Sequence, residues 1–183
     1  MLKWGVALLL TVAGAHAADT VIHVTRSAGN SYTFTMQFVA HAPAVQVISL
    51  ITDYAHLSRL NPLIKNSRIL PHNDNEITRV EIVTEGCLLF FCKKIIRVED
   101  ARVIDNSSIE TEFVAELSDF KSGKTAWTFT PDGQSTRVIY QAVMVPDFWL
   151  PPFVGPYLLE KQLHSQLEYT AKKINLLLLS HDR

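Results

Sequence analysis

From Tyr32 to Val39 the apolar Tyr32, Phe34, Met36 and Phe38 alternate with Thr33, Thr35 and Gln37. This period of two predicts a strand with one buried face. A shorter β-branched run over 21–25 precedes it, across the turn composition Ser27-Ala28-Gly29-Asn30. Past Pro43 the period changes. Val45, Ile48, Leu50 and Ile51 fall at helical spacing, and a second short helical stretch runs through Tyr54 to Leu60, where Asn61-Pro62 stops it. From 64 to 145 the chain reads as six strands, broken by turn signals at 71–75, 86–91, 100–108, 117–120 and 131–134. Connections this short join only antiparallel neighbours. Over 152–179, Leu159, Leu163, Leu167, Thr170, Ile174 and Leu177 recur at steps of three and four, the stripe of a long amphipathic helix.

This order predicts an α+β fold: two short helices after the first long strand, then a curved antiparallel sheet wrapped around a long C-terminal helix. The stretch Phe38-Val39-Ala40-His41-Ala42-Pro43, followed by Thr52-Asp53-Tyr54 and Asn61-Pro62, resembles the opening of START-type, polyketide-cyclase-like proteins. So do Ser118-Asp119-Phe120 with Trp127, and Pro146 before the last helix. The group is the helix-grip superfamily that includes the coenzyme-Q-binding START proteins and the birch-pollen allergen fold. The resemblance spans nearly all of the chain after its N-terminal segment. It implies a cavity between sheet and C-terminal helix that receives lipids, quinones, sterols or polyketides. Members range from carriers to cyclases, so the fold does not choose between them.

The N-terminal segment has a composition of its own. Lys3, an apolar stretch over 4–13 and Ala15-His16-Ala17 make the pattern of a cleaved signal peptide over 1–17. About ten apolar residues are too few to cross a bilayer core, which takes roughly twenty. Residues 18–183 are then a single domain, periplasmic in a Gram-negative cell and secreted otherwise. The full chain has 17 Lys and Arg against 18 Asp and Glu. Removing Lys3 leaves a net charge of about −2, a poor fit to nucleic acid, whose binding rests on phosphate neutralisation, so no nucleic-acid partner is expected. A monomer is expected.

In a meander, alternate turns share one end. Residues 71–75, 100–108 and 131–134 make a polar end, whereas the other gathers Leu88, Leu89, Phe90, Phe91, Leu117, Phe120, Phe148, Trp149, Leu150 and Phe153. Apolar side chains concentrated on loops mark either a binding surface or a plug folded into the core. As a portal, this end admits ligand and touches a membrane transiently through 86–91 and 146–153.

Cys87 and Cys92 flank four apolar residues. Facing each other across a four-residue hairpin loop they can form a disulfide. The same register sets Glu85 opposite Lys94 and Arg79 opposite Asp100, both favourable cross-strand pairs. It also sets Ile82 opposite Arg97 and Thr84 opposite Ile95. Arg97 then either enters an apolar cavity and seeks an oxygen partner, or lies on the solvent side. Trp127 and Phe129 share a strand face and suit either a ligand wall or plain core. Tyr54 offers its hydroxyl to a ligand or to the local turn. The candidate ligand-binding set is Tyr54, Phe90, Phe91, Arg97, Trp127, Phe129, Phe148, Trp149, Leu159 and Leu163.

No nucleophile elbow, zinc-protease helix motif, phosphate loop or dinucleotide fingerprint occurs in the sequence. Glu110 and Glu112 share a face that reads as solvated, and the histidines fall in unrelated places. No metal and no cofactor are expected. The leading expectation is non-catalytic binding or transport of an apolar small molecule. The alternatives are a cyclase or dehydratase, which needs a perturbed acid or base in the cavity, and a protein-interaction module, which needs a cavity filled by side chains.

Overall fold

The computed structural model describes residues 20–27, 30–88, 91–149 and 155–181, with backbone alone at Leu88, Phe91 and His181. The expected signal peptide, Leu89, Phe90, Leu150 and Phe153 lie outside the described residues.

Eight strands make one sheet: β1 (Val21–Ser27), β2 (Ser31–Ala40), β3 (Ile64–Leu70), β4 (Thr78–Leu88), β5 (Phe91–Ile104), β6 (Ser108–Phe113), β7 (Phe120–Asp132) and β8 (Ser135–Pro146). Their spatial order is β1-β2-β8-β7-β6-β5-β4-β3, with each neighbouring pair antiparallel. The meander β3 to β8 is therefore continuous, and β2 closes on its last strand. Helix α1 (Ala44–Ile51) and a 3-10 segment (Tyr54–Arg59) carry the chain from β2 to the opposite edge strand, β3. Helix α2 (Gly155–His181) lies against the same face as α1.

Alternation builds the inner face. Tyr32, Phe34, Met36 and Phe38 of β2 are buried, as are Thr136, Val138, Tyr140, Ala142 and Met144 of β8. Gly133, at φ 62°, turns the two-residue connection between β7 and β8 in a left-handed conformation that costs a glycine little. Thr136, fully buried, donates to Ala42 O at 2.8 Å and so ties β8 to the start of α1.

The β4–β5 register is the expected one: Cys87 faces Cys92, Glu85 faces Lys94, Arg79 faces Asp100 and Ile82 faces Arg97. Arg79 donates to both Asp100 oxygens at 2.6 and 2.7 Å, which holds the Asp100 carboxyl below its ordinary pKa. The connection is shorter than the expected four residues, because Leu88 and Phe91 also pair and leave only 89 and 90 between the strands.

Beyond Phe113 the chain leaves the ladder but stays beside β5. Val114 N donates to Val98 O and Asp119 N to Ile96 O. Ser118 Oγ accepts from Val98 N at 2.9 Å, and Asp119 Oδ2 accepts from Ile96 N at 2.7 Å. Ser118 and Asp119 thus take the place of a strand along β5, the backbone accounting that a sheet edge requires.

On α2 the buried stripe is Leu167, Ala171, Ile174 and Leu178. Leu177, expected on it, is only partly buried, because steps of 4, 3 and 4 from Leu167 lead to Leu178. Leu159 and Leu163 are half-buried because they face open space rather than sheet.

Candidate ligand cavity

Between the sheet and α2 lies a cavity of about 320 Å³. Its apolar wall includes Phe34, Met36, Ile82, Ile95, Leu159 and Leu163, drawn from both sides of the grip. Of the candidates read from sequence, Tyr54, Arg97, Trp127, Phe148, Leu159 and Leu163 line it. Phe129 does not: it stacks parallel to Trp127 with centroids 6.4 Å apart and is buried in the core at 2 % exposure. Trp149 stands beyond the wall, 62 % exposed. Phe90 and the side chain of Phe91 lie outside the described residues.

The register explains why Arg97 faces inward. Ile82 and Thr84 point into the cavity, and strand alternation puts their partners Arg97 and Ile95 on the same side. Two residues further along, Glu99 repeats that orientation and is 6 % exposed. Arg97 Nε lies 3.1 Å from Glu99 Oε2. Its N–H is not directed at that oxygen, so the charges pair while Nε keeps no hydrogen-bond partner among the described residues. The guanidinium also sits over the Phe113 ring, 5.3 Å from its centroid.

A polar seam continues from this pair across the sheet. Thr111 Oγ1 lies 3.4 Å from Glu99 Oε2 and 2.9 Å from Thr125 Oγ1. Tyr140, opposite Trp127 with rings 4.2 Å apart, completes it. Burial pushes the Tyr140 phenol up to about 12, against the opposing pull of Arg97, with Glu99 adding to the rise and a hydrogen bond with Thr125 reducing it. Burial, then the Glu99 charge, raises Tyr54 to about 12 as well. Both phenols are therefore neutral at physiological pH. Tyr54 Oη and Gln166 Oε1 are buried without a hydrogen-bond partner among the described residues.

At one end of the cavity Cys87 and Gly86 meet Lys93 and Phe148, with the Lys93 ammonium 4.9 Å from the centre of the Phe148 ring. The Cys87–Cys92 disulfide, Cα atoms 3.9 Å apart, clamps the hairpin there. Among the described residues, Glu110 and Glu112 lie on the exposed outer face of the sheet. No group of three His, Cys, Asp or Glu residues is arranged to hold a metal ion among those residues.

A cavity of this form, gripped between a curved antiparallel sheet and a terminal helix, agrees with a match of residues 40–166 to the family described as polyketide cyclase / dehydrase and lipid transport. The chain belongs to that family. Solved structures carry the same START helix-grip fold. A STAR-related lipid transfer protein from Xanthomonas axonopodis superposes with a TM-score of 0.68 at 15 % identity, covering 88 % of this chain and 98 % of its own. An aromatase/cyclase from a Streptomyces species gives 0.69 at 12 %, covering 84 % and 96 %. A START superfamily protein from Mycobacterium smegmatis gives 0.62 at 18 %, covering 79 % and 98 %. No significant match to a curated protein sequence is found. Structures of both kinds, a lipid transfer protein and an aromatase/cyclase, are thus similar in fold to this chain.

Sequence reasoning missed Glu99, Thr111, Thr125, Tyr140 and Gln166. Glu99 was within reach, since the register that turned Arg97 inward turns its second neighbour inward too. Gln166 was not, because its place beside the leucine stripe reads as an ordinary helix flank.

Proposed function

We propose that the protein holds an apolar small molecule in this cavity as cargo and does not transform it. The observation that carries this reading is the state of Glu99. It is the one carboxylate among the described residues on the cavity wall, and it is already engaged by Arg97 and Thr111. A general base needs a free carboxylate within reach of the proton it takes. Binding would be driven by the apolar wall, at about 2.5 kcal/mol for each 100 Å² of apolar surface buried. The open cavity also weighs against an interaction module, which required that space to be filled. Cargo would pass through the end marked by Lys93 and Phe148, and beside it Leu117 and Trp149 are 50 and 62 % exposed, a surface suited to a lipid interface. We place the protein outside the cytoplasm, in the periplasm or the exterior, where the Cys87–Cys92 disulfide would persist. Native mass spectrometry after mild purification tests the reading. A bound mass released intact on denaturation supports it, and a protein that is empty and takes up no apolar probe overturns it.

A cyclase or dehydratase is the second reading, favoured by the unpartnered Tyr54 hydroxyl and Arg97 Nε inside the cavity. Incubation with the released molecule decides between the two: unchanged cargo after prolonged contact keeps the carrier, and a new product mass replaces it with an enzyme.

A further inference from the structure

Resting on the carrier reading, and narrowing its cargo, we infer that the bound molecule has an uncharged polar head group that both accepts and donates hydrogen bonds, and that anionic heads are discriminated against.

Among the described residues that line the cavity, the charged side chains are Lys93, Arg97 and Glu99. Lys93 is at the disulfide end, four residues and about 13 Å along the strand from Arg97. Deep in the cavity there remains a single cation against a single anion, 3.1 Å apart. Glu99 is 6 % exposed, and Thr111 Oγ1 lies 3.4 Å from it, so it is not free to swing out to solvent. A carboxylate or phosphate brought to Arg97 would put two negative charges against one guanidinium in a poorly solvated space, where like-charge repulsion is strong. A cationic head would meet Arg97 with its neutralising partner already taken. A neutral head escapes both penalties.

Arg97 Nε is a donor, Gln166 Oε1 an acceptor, and the Tyr54 phenol either, and each is buried without a partner. Buried polar groups left unpaired are costly, so a head group that satisfies them recovers what the empty cavity forfeits. Donor and acceptor must both be supplied by the head, because the wall presents both.

Four probes with one decyl-length chain test this by isothermal titration calorimetry at neutral pH: glycerol monodecanoate, methyl decanoate, decanoate and decylamine. Glycerol monodecanoate is expected to bind at least about tenfold more tightly than decanoate or decylamine, and more tightly than methyl decanoate, which has no donor. In Glu99→Gln, decanoate should gain about tenfold while glycerol monodecanoate does not gain. The wild-type comparison stands alone if that variant folds poorly. Decanoate binding as tightly as the monoglyceride overturns this inference and leaves the carrier reading intact. Failure of all four probes, methyl decanoate included, overturns the carrier reading itself.

Discussion

Phe113 packs its ring against the bare Cα of Gly123 on the neighbouring strand, so that a Cβ built on Gly123 would overlap three atoms of the ring. The ring also meets Phe120 edge-on at 5.3 Å and lies under the Arg97 guanidinium. An absent side chain on β7 therefore makes room for the ring on which the Arg97 guanidinium rests. Gly123→Ala should cost about 1–3 kcal/mol through overpacking, less the roughly 0.5–1 kcal/mol regained by removing a glycine from a strand. Thermal melting would measure the loss. Adding Phe113→Leu should recover part of it, and an unchanged melting temperature in the single variant would contradict the packing.

The two phenols on the cavity wall, Tyr54 and Tyr140, make stability fall on the alkaline side. Their folded-state pKa values of about 12 lie above the ordinary 10, so the neutral form is the one the fold prefers. Their contribution is fully present below pH 10 and is lost as pH rises from 10 through 12. Denaturant unfolding followed across that window should show the decline, and Tyr54→Phe should make it shallower. At neutral pH the same variant should lose little stability, since the hydroxyl it removes has no partner, while its affinity for a neutral polar head falls.

The disulfide closes a small loop, which limits its worth. Chain-entropy arguments give about 2 kcal/mol for a ring this short. Cys87→Ser with Cys92→Ser should therefore melt a few degrees lower and still fold. Thiol labelling of the untreated protein should modify neither cysteine, and labelling of both would remove the bridge from the account.

At the disulfide end, Leu117→Ser together with Trp149→Ser should weaken co-sedimentation with neutral liposomes several-fold. Because both side chains are at least half exposed, stability should change by no more than about 0.5 kcal/mol for each substitution, about 1 kcal/mol in all. A large loss of stability would mean that these side chains plug the core.

Much of this molecule can be read from alternation and charge. Facing Cys87 with Cys92 across a hairpin set the β4–β5 register, the Glu85–Lys94 and Arg79–Asp100 pairs supported it, and it put Arg97 opposite Ile82 while leaving open whether that face met cavity or solvent. Phe129 shows the limit. A shared strand face cannot tell a residue beside a cavity from one packed a layer deeper, because that depends on where the helix axis crosses the sheet. Tyr140 shows another: in β8 it occupies one buried position in an alternating run, and only the neighbours Thr125 and Trp127 from β7 make it part of a polar seam. Ser118 and Asp119 were read as part of the family resemblance, and the structure adds their physical task, which is to accept from the amides of Val98 and Ile96 on β5.

Asn175 binds the terminal helix to the end of β2 with its amide alone, donating to Val39 O at 2.9 Å and accepting from His41 N at 3.0 Å. Both partners are main-chain atoms, so the joint is indifferent to which side chains stand at 39 and 41. Sequence drift at those positions leaves the clasp closed, and the polar tie between the helix and this strand end rests on the Asn175 amide. Relatives that vary freely at the strand end yet keep an amide on the helix would be the trace such a joint leaves across a lineage.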